Sequence, residues 1–245
     1  MRPGRERFFT ALQDIHRDRV PGADFHMHTT WTDGTTGVQA MHAQAVSAGL
    51  TDILFSEHAR KTSEDWFSRF AEEVRALPKD RCKAWVGVET KAEDWSGKLD
   101  CTDAILSQCD LVMASVHRFP GEKGVVQGFG DVRREEAVEL EYKLASAILD
   151  NPQVDILGHP FGMCYRRYQA TPPDDRMRAL IRKAAKNRIA FEVNCHYHPE
   201  PWVLIDWCLE EKALFSLGSN AHAPEEVGRI TRVLKGKELS WTPSA

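Results

Sequence analysis

The chain has 245 residues, 42% hydrophobic and 28% charged, with a formal net charge of −4; that suits one large α/β domain or two small ones. The charge leaves no footprint for bulk nucleic-acid binding. No apolar stretch approaches the ~20 residues of a membrane span, and the charged N-terminus MRPGRERFFTALQDIHRDRV has no signal-peptide core.

Apolar and polar segments alternate along the chain. The run 23–29 (ADFHMHT) predicts a first strand, 37–48 a helix and 51–59 (TDILFSEHA) a second strand. Residues 63–77 put Trp66, Phe67, Phe70, Val74 and Leu77 at helical spacing. Strands three and four follow at 82–90 (CKAWVGVET) and 111–117 (LVMASVH). The longest helix, 131–149, carries Ala137, Leu140, Leu144, Ala147 and Ile148 on the stripe expected to face inward. Strand five at 154–160 (VDILGHP), a helix at 174–187, strand six at 188–196 (RIAFEVNCH), a helix at 202–212, strand seven at 214–222 (LFSLGSNAH) and a helix at 224–234 complete the pattern. Near-continuous apolar strands suit a parallel sheet buried on both faces. Seven of them with helices between predict a closed or nearly closed β/α barrel, with an open doubly wound sheet as the alternative. The six cysteines form no CxxC pair and read as buried free thiols of a reducing compartment, so the expected location is cytoplasmic.

Nearly every strand ends in a polar ligand type. Strand one ends in His26 and His28, strand two in Glu57 and His58, strand three in Glu89. Strands four and five end in His117 and His159, strand six carries Glu192 and Asn194, and strand seven ends in Asn220 and His222. In a parallel barrel these ends meet on one face. Residues i and i+2 of a strand point the same way, so His26 and His28 can serve one metal. One histidine at a strand end has an ordinary explanation in hydrogen bonding; six at the ends of five strands call for divalent metals such as Zn, Mn or Fe. His16 and His42 are assigned to solvated helix faces, and His196 and His198 to the pocket mouth.

The chain carries, in order, Asp24-Phe25-His26-Met27-His28-Thr29, Thr32-Asp33-Gly34, Ser56-Glu57-His58, Gly87-Val88-Glu89, Ala114-Ser115-Val116-His117, Leu157-Gly158-His159-Pro160, Glu192-Val193-Asn194 and Gly218-Ser219-Asn220-Ala221-His222. This ordered set resembles the PHP (polymerase and histidinol phosphatase) superfamily. The resemblance implies a distorted seven-stranded, TIM-like parallel β/α barrel over 1–245, with 1–22 as an N-terminal helical extension. It implies two or three divalent metals. One set would be His26, His28, Glu89 and residue 220; a second Glu89, His117 and His159; a third Asp33, His58 and His222. Glu89 would bridge the first two. His26, His28, Glu89, His117 and His222 would be the catalytic residues of hydrolysis by a metal-activated hydroxide. Asn220 departs from the aspartate usual in the family. Asp24, Glu192 and Asn194 are candidates to orient the histidines.

A phosphoester also needs cationic anchors. The candidates after strand ends are Arg118 foremost, then Arg166, Arg167, Arg60 and Lys91. Trp31, Phe119, Tyr168, Tyr197 and Trp202 are candidates for an aromatic wall, and the Gly-rich loop 119–131 for a lid. The expected activity is a histidinol-phosphatase-like phosphoesterase acting on a small phosphorylated metabolite. The alternatives are a nucleotide or single-stranded nucleic-acid phosphodiesterase, amide hydrolysis, and a metal-binding module whose activity Asn220 weakens. The acidic balance makes a nucleic-acid partner a poor fit, and no membrane partner is expected.

Overall fold

The computed structural model describes residues 2–121 and 127–241. The part of the expected lid at 122–126 lies outside the described residues.

Seven strands form one parallel sheet in sequence order: β1 (Ala23–Met27), β2 (Asp52–His58), β3 (Lys83–Lys91), β4 (Leu111–Ser115), β5 (Ile156–Gly158), β6 (Ala190–Asn194) and β7 (Phe215–Gly218). β1 and the segment after β7 come together through a short bridge, with His28 N donating to Ala221 O at 2.8 Å and Ala221 N to His26 O at 3.1 Å. The sheet is thus a nearly closed α/β barrel of the TIM-like kind. The intervening helices are α1 (Val38–Ser47), α2 (Glu64–Arg75), α3 (Asp103–Leu106), α4 (Arg134–Ile148), α5 (Asp174–Asn187), α6 (Pro201–Glu210) and α7 (Arg229–Leu234). Each buries an apolar stripe on the sheet, as Phe67, Phe70, Ala71 and Val74 of α2 do. Such burial contributes about 1.5–3 kcal/mol for each large side chain.

Local chemistry explains the differences from the sequence reading. On α4 the buried set is Ala137, Glu141, Leu144, Ala145 and Ile148, while Leu140 and Ala147 are only partly buried. A buried glutamate breaks the hydrophobic pattern that periodicity detects. The last expected helix divides into a 3-10 turn, Pro224–Glu226, and α7, because Gly228 sits at φ 71° and interrupts the helical path. The N-terminal segment holds two 3-10 turns, Glu6–Phe8 and Thr10–Asp14. Phe9, Leu12 and Ile15 are buried there, with Phe9 edge-on to Phe25 of β1. His42 is buried rather than solvated and hydrogen bonds the Cys82 carbonyl at 3.0 Å, whereas His16 is exposed. All six cysteines are buried and free. No helix among the described residues is long and apolar enough to cross a membrane.

Two motif glycines are needed for close approach. A Cβ at Gly158 would overlap the Ser115 hydroxyl, so only glycine lets β5 lie against β4 just before His159. A Cβ at Gly218 would overlap the Glu192 carboxylate and lie 2.9 Å from His26 Cβ. Glycine there opens the space through which Glu192 reaches His26.

Candidate metal centre

The C-terminal strand ends converge on Glu89. This β3 side chain is 1% exposed, and its two oxygens face different histidines. Oε2 lies 3.4 Å from His26 Nε2 and 3.5 Å from His28 Nε2, and those two nitrogens are 3.1 Å apart. Oε1 lies 3.0 Å from His117 Nε2 and 2.8 Å from His159 Nε2, with 3.3 Å between the nitrogens. Ligand atoms bound at ~2.1 Å to one cation stand roughly 3.0–3.4 Å apart; the two triangles, with sides of 2.8–3.5 Å, are close to that size. A third group is formed by Asp33, whose carboxylate is 3.4 Å from His58 Nε2 and 3.4 Å from His222 Nε2. His28 faces both ways: one atom each of His28, Asp33, His58 and His222 also falls within 4.8 Å of the others. The structure therefore brings eight of the nine expected donors into one cluster. Asn220 lines the same cavity, with its amide nitrogen 3.5 Å from the Tyr197 hydroxyl. Its φ of 51° is a left-handed conformation that asparagine and aspartate both tolerate.

The donor set fits a cation by an independent criterion. His28 Nδ1, His58 Nδ1 and Glu89 Oε2, which face the cluster, are buried and have no hydrogen-bond partner. His58 Nδ1 stands 3.0 Å from Glu89 Oε2, yet the pair lacks hydrogen-bond direction. Orphaned polar atoms at such density are costly to bury unless something else satisfies them.

Electrostatics divides the cluster. Burial alone would push the Glu89 carboxyl up, but His117, His26 and His58 beside it hold it well below the usual range. Burial and the neighbouring His58 and His26 hold His28 well below its ordinary value, and burial brings His117 down to about 4. His28 and His117 are thus held toward the neutral form that metal ligation requires. His26 goes the other way: burial opposes its charge, but Glu192 and Glu89 outweigh burial and raise it well above the usual value. Burial opposes charge on His58 and His222 too, but Glu89 and Asp33 outweigh it and raise His58 to about 9, and Asp33 raises His222.

A second layer of groups aims the donors. Glu192 Oε1 is 2.7 Å from His26 Nδ1 and its Oε2 accepts from His159 N at 2.5 Å, so one carboxylate fixes two donors. Asn194 Nδ2 donates to Glu192 Oε1 at 2.8 Å. Asp24 accepts from Ser219 N and Gly228 N, both at 2.9 Å, tying β1 to β7. Glu57 points away from its neighbour His58 and accepts from Thr29 N at 2.8 Å, Thr29 Oγ1 at 2.7 Å and the Thr32 hydroxyl, which holds the loop carrying Asp33. Residue type alone assigns Glu57 no role of its own; strand alternation relative to His58 is the available signal.

Two cavities open on the cluster. One, of about 390 Å³, is lined by Asp33, His58, Arg60, Glu89, His117, Tyr197, Asn220 and His222. The other, of about 290 Å³, is walled by Met163, Arg166, Arg167 and Tyr197 and shares His117 and Tyr197 with the first. Arg60 donates to the carbonyls of Ala59 and Glu89, each at 3.0 Å, and so braces the strand end. Lys91 faces Asp100 at 3.5 Å and Arg118 is exposed; neither lines these two cavities. Arg166 stacks on Trp241 at 5.0 Å. Its π-helical turn, Cys164–Tyr168, is held by buried Glu141, which accepts from Cys164 N at 2.7 Å and Met163 N at 3.2 Å.

Of the expected aromatic wall, Tyr197 alone lines these cavities. Trp31 stacks on Trp66, Phe119 packs between Trp95 and Tyr168, and Trp202 donates to the Leu234 carbonyl. His198 is fully buried and joins two loops, accepting from Asn194 N at 3.0 Å and pairing with the Pro160 carbonyl at 2.9 Å, so it is not at the mouth. His196 stands edge-on to Tyr197.

Comparison with known proteins places this geometry. A curated protein named "Probable phosphatase" from Thermoanaerobacter sp. (strain X514) is 27% identical over 226 residues, covering 86% of this chain and 83% of its own. The "DNA polymerase/3'-5' exonuclease PolX" of Bacillus subtilis (strain 168) is 26% identical over 199 residues; the match takes in 78% of this chain but only 32% of that protein. The solved histidinol phosphate phosphatase of Lactococcus lactis, complexed with zinc, L-histidinol and phosphate, shares the fold with a TM-score of 0.60 at 16% identity, covering 89% of this chain and 94% of that one. The PHP domain family model matches residues 24–196, which hold seven of the eight clustered donors, and the chain belongs to that family.

Proposed function

We propose that this chain is a metal-dependent phosphoesterase that hydrolyses a phosphomonoester of a small metabolite, in the manner of the histidinol phosphatases. The observation that carries the reading is Glu89, whose Oε1 stands beside His117 and His159 and whose Oε2 stands beside His26, His28 and His58. His26, His28 and Glu89 would hold one divalent cation, with the Asn220 carbonyl as the remaining donor. Glu89, His117 and His159 would hold a second, and Asp33, His58 and His222 a third. Zinc, manganese and iron all suit such mixed imidazole and carboxylate sets. Cations at these positions supply Lewis acidity and lower the pKa of water.

The rest is work for the chain's own residues. Glu192 fixes the ring of His26 and the backbone of His159. Arg166 and Arg167 line the side cavity, where they would anchor the phosphorylated substrate. Tyr197 and Met163 give that cavity an apolar surface for the leaving group. The Thermoanaerobacter relative, named a probable phosphatase and matched over most of its length, supports phosphatase chemistry, and the Lactococcus enzyme with its bound histidinol and phosphate supports a small-molecule substrate. The net charge of −4 counts against a polymeric one. A cytoplasmic location belongs to the same reading and accords with six free cysteines.

The test is a screen of purified protein loaded with manganese, zinc or iron against phosphomonoesters, bisphosphates, diesters and amides. Turnover of phosphomonoesters, histidinol phosphate among them, is expected. Turnover of diesters alone would turn the reading toward the exonuclease-type relative. Bound metal with no turnover would make the chain a metal-binding module.

A further inference from the structure

Tyr197 stands where the two cavities meet. It lines both, and its ring stacks on that of His159 with centroids 4.2 Å apart and planes at 28°. The turn after β6 fixes its backbone: Tyr197 N donates to Asn194 O at 3.2 Å, and His198 N donates to the same carbonyl at 2.8 Å. His198 in turn anchors that turn to the Pro160 carbonyl at 2.9 Å. The phenol is therefore held in place by packing and by its backbone.

The surroundings of its hydroxyl are unusual. Its partner is Asn220 Nδ2 at 3.5 Å, a long contact in which the amide donates and the phenol oxygen accepts. Among the described residues no acceptor takes the phenol's own hydrogen. An aspartate at 220 would reverse this, because a carboxylate can only accept and would draw the phenol hydrogen to itself. Asparagine offers both functions: its carbonyl can turn toward the histidine cluster while its amide caps the phenol oxygen.

We infer that Tyr197 is a catalytic residue whose hydroxyl donates a hydrogen bond to a phosphoryl oxygen, and that Asn220 leaves this donor available. The inference rests on the phosphoesterase reading and extends it. A fixed neutral donor beside the cluster stabilises charge that grows on the phosphoryl oxygens as the bond to the leaving group breaks. It also gives the asparagine at 220 a part in a functional arrangement rather than making it a loss.

The experiment is Tyr197→Phe, which keeps the ring that packs on His159 and removes only the hydroxyl. Three quantities are read on manganese-loaded protein: metal content, the Kd for inorganic phosphate by calorimetry, and kcat and KM on the best phosphomonoester. Metal content is expected to match wild type, phosphate to bind roughly tenfold more weakly, and kcat to fall ~100-fold with a smaller change in KM. Unchanged phosphate Kd and kcat would overturn the assignment. Loss of metal would also overturn it, by making Tyr197 a prop for His159. A wild-type protein that binds phosphate but turns over no phosphomonoester would contradict the phosphoesterase reading alone. The weaker phosphate binding of Tyr197→Phe would still stand as evidence for the donor.

Discussion

The two ends of the barrel each bury a carboxylate, and they treat it in opposite ways. At the N-terminal end Asp155 is fully buried and saturated: Arg2 reaches it through backbone N at 3.1 Å, Nε at 3.0 Å and a guanidinium NH2 at 2.7 Å, and Val112 N donates at 2.9 Å. At the C-terminal end Glu89 is buried to the same degree, yet its Oε2 has no hydrogen-bond partner although three histidine nitrogens lie within 3.5 Å. Burial is therefore not what separates them. A saturated carboxylate locks the fold, whereas an unsaturated oxygen ringed by imidazoles, of which His28 and His58 keep an unpartnered ring nitrogen, is arranged for a group that comes from outside the chain.

That contrast breaks most sharply at Glu89. Glu89→Ala is expected to abolish binding at both histidine pairs and bring hydrolysis to background, well beyond the ~10–100-fold cost of disturbing an outer group. Metal content by mass spectrometry and turnover check this; retained metal would void the bridging role. Glu192→Gln tests that outer layer. It removes the charge that aims His26 and is expected to weaken metal affinity ~10–100-fold by titration, with the fold intact. Arg2→Ala tests the other end. It is expected to lower unfolding free energy by about 2 kcal/mol, less than a fully buried pair because the Arg2 side chain is 22% exposed. Turnover per folded molecule is expected to stay unchanged; a drop would mean that the two ends are coupled.

The smallest effect concerns Glu141, which holds the arginine-bearing turn. Burial pushes its carboxyl from 4.5 up to about 7. Between those values the native state keeps a proton that the unfolded chain has lost, so its contribution to stability falls as pH rises through that window. Glu141→Gln is expected to flatten the decline by on the order of 1 kcal/mol in denaturant titrations of metal-free protein. Parallel curves for the two proteins would remove Glu141 from the account.

How far the sequence was legible follows from what periodicity can register. The strands were readable because fully buried parallel strands are unbroken apolar runs, and the donors because polar residues end those runs. Glu141 and His42 went unread because each is a polar residue satisfied by a backbone group distant in sequence: Met163 and Cys164 for one, Cys82 for the other. Adjacency to His117 makes Arg118 the first candidate from sequence, but neighbours on a chain leave a strand end in different directions, and Arg166 and Arg167 line the side cavity. His198 shows the converse error. A histidine beside a strand end, taken for the pocket mouth, joins two loops from within the core.

Anomalous diffraction from crystals grown with manganese or zinc tests the central claim most directly. The account predicts one peak between Glu89 Oε2 and the His26–His28 pair and another between Glu89 Oε1 and the His117–His159 pair. Metal-soaked crystals that show no peak at either carboxylate oxygen, or metal only at dispersed surface sites, would contradict it.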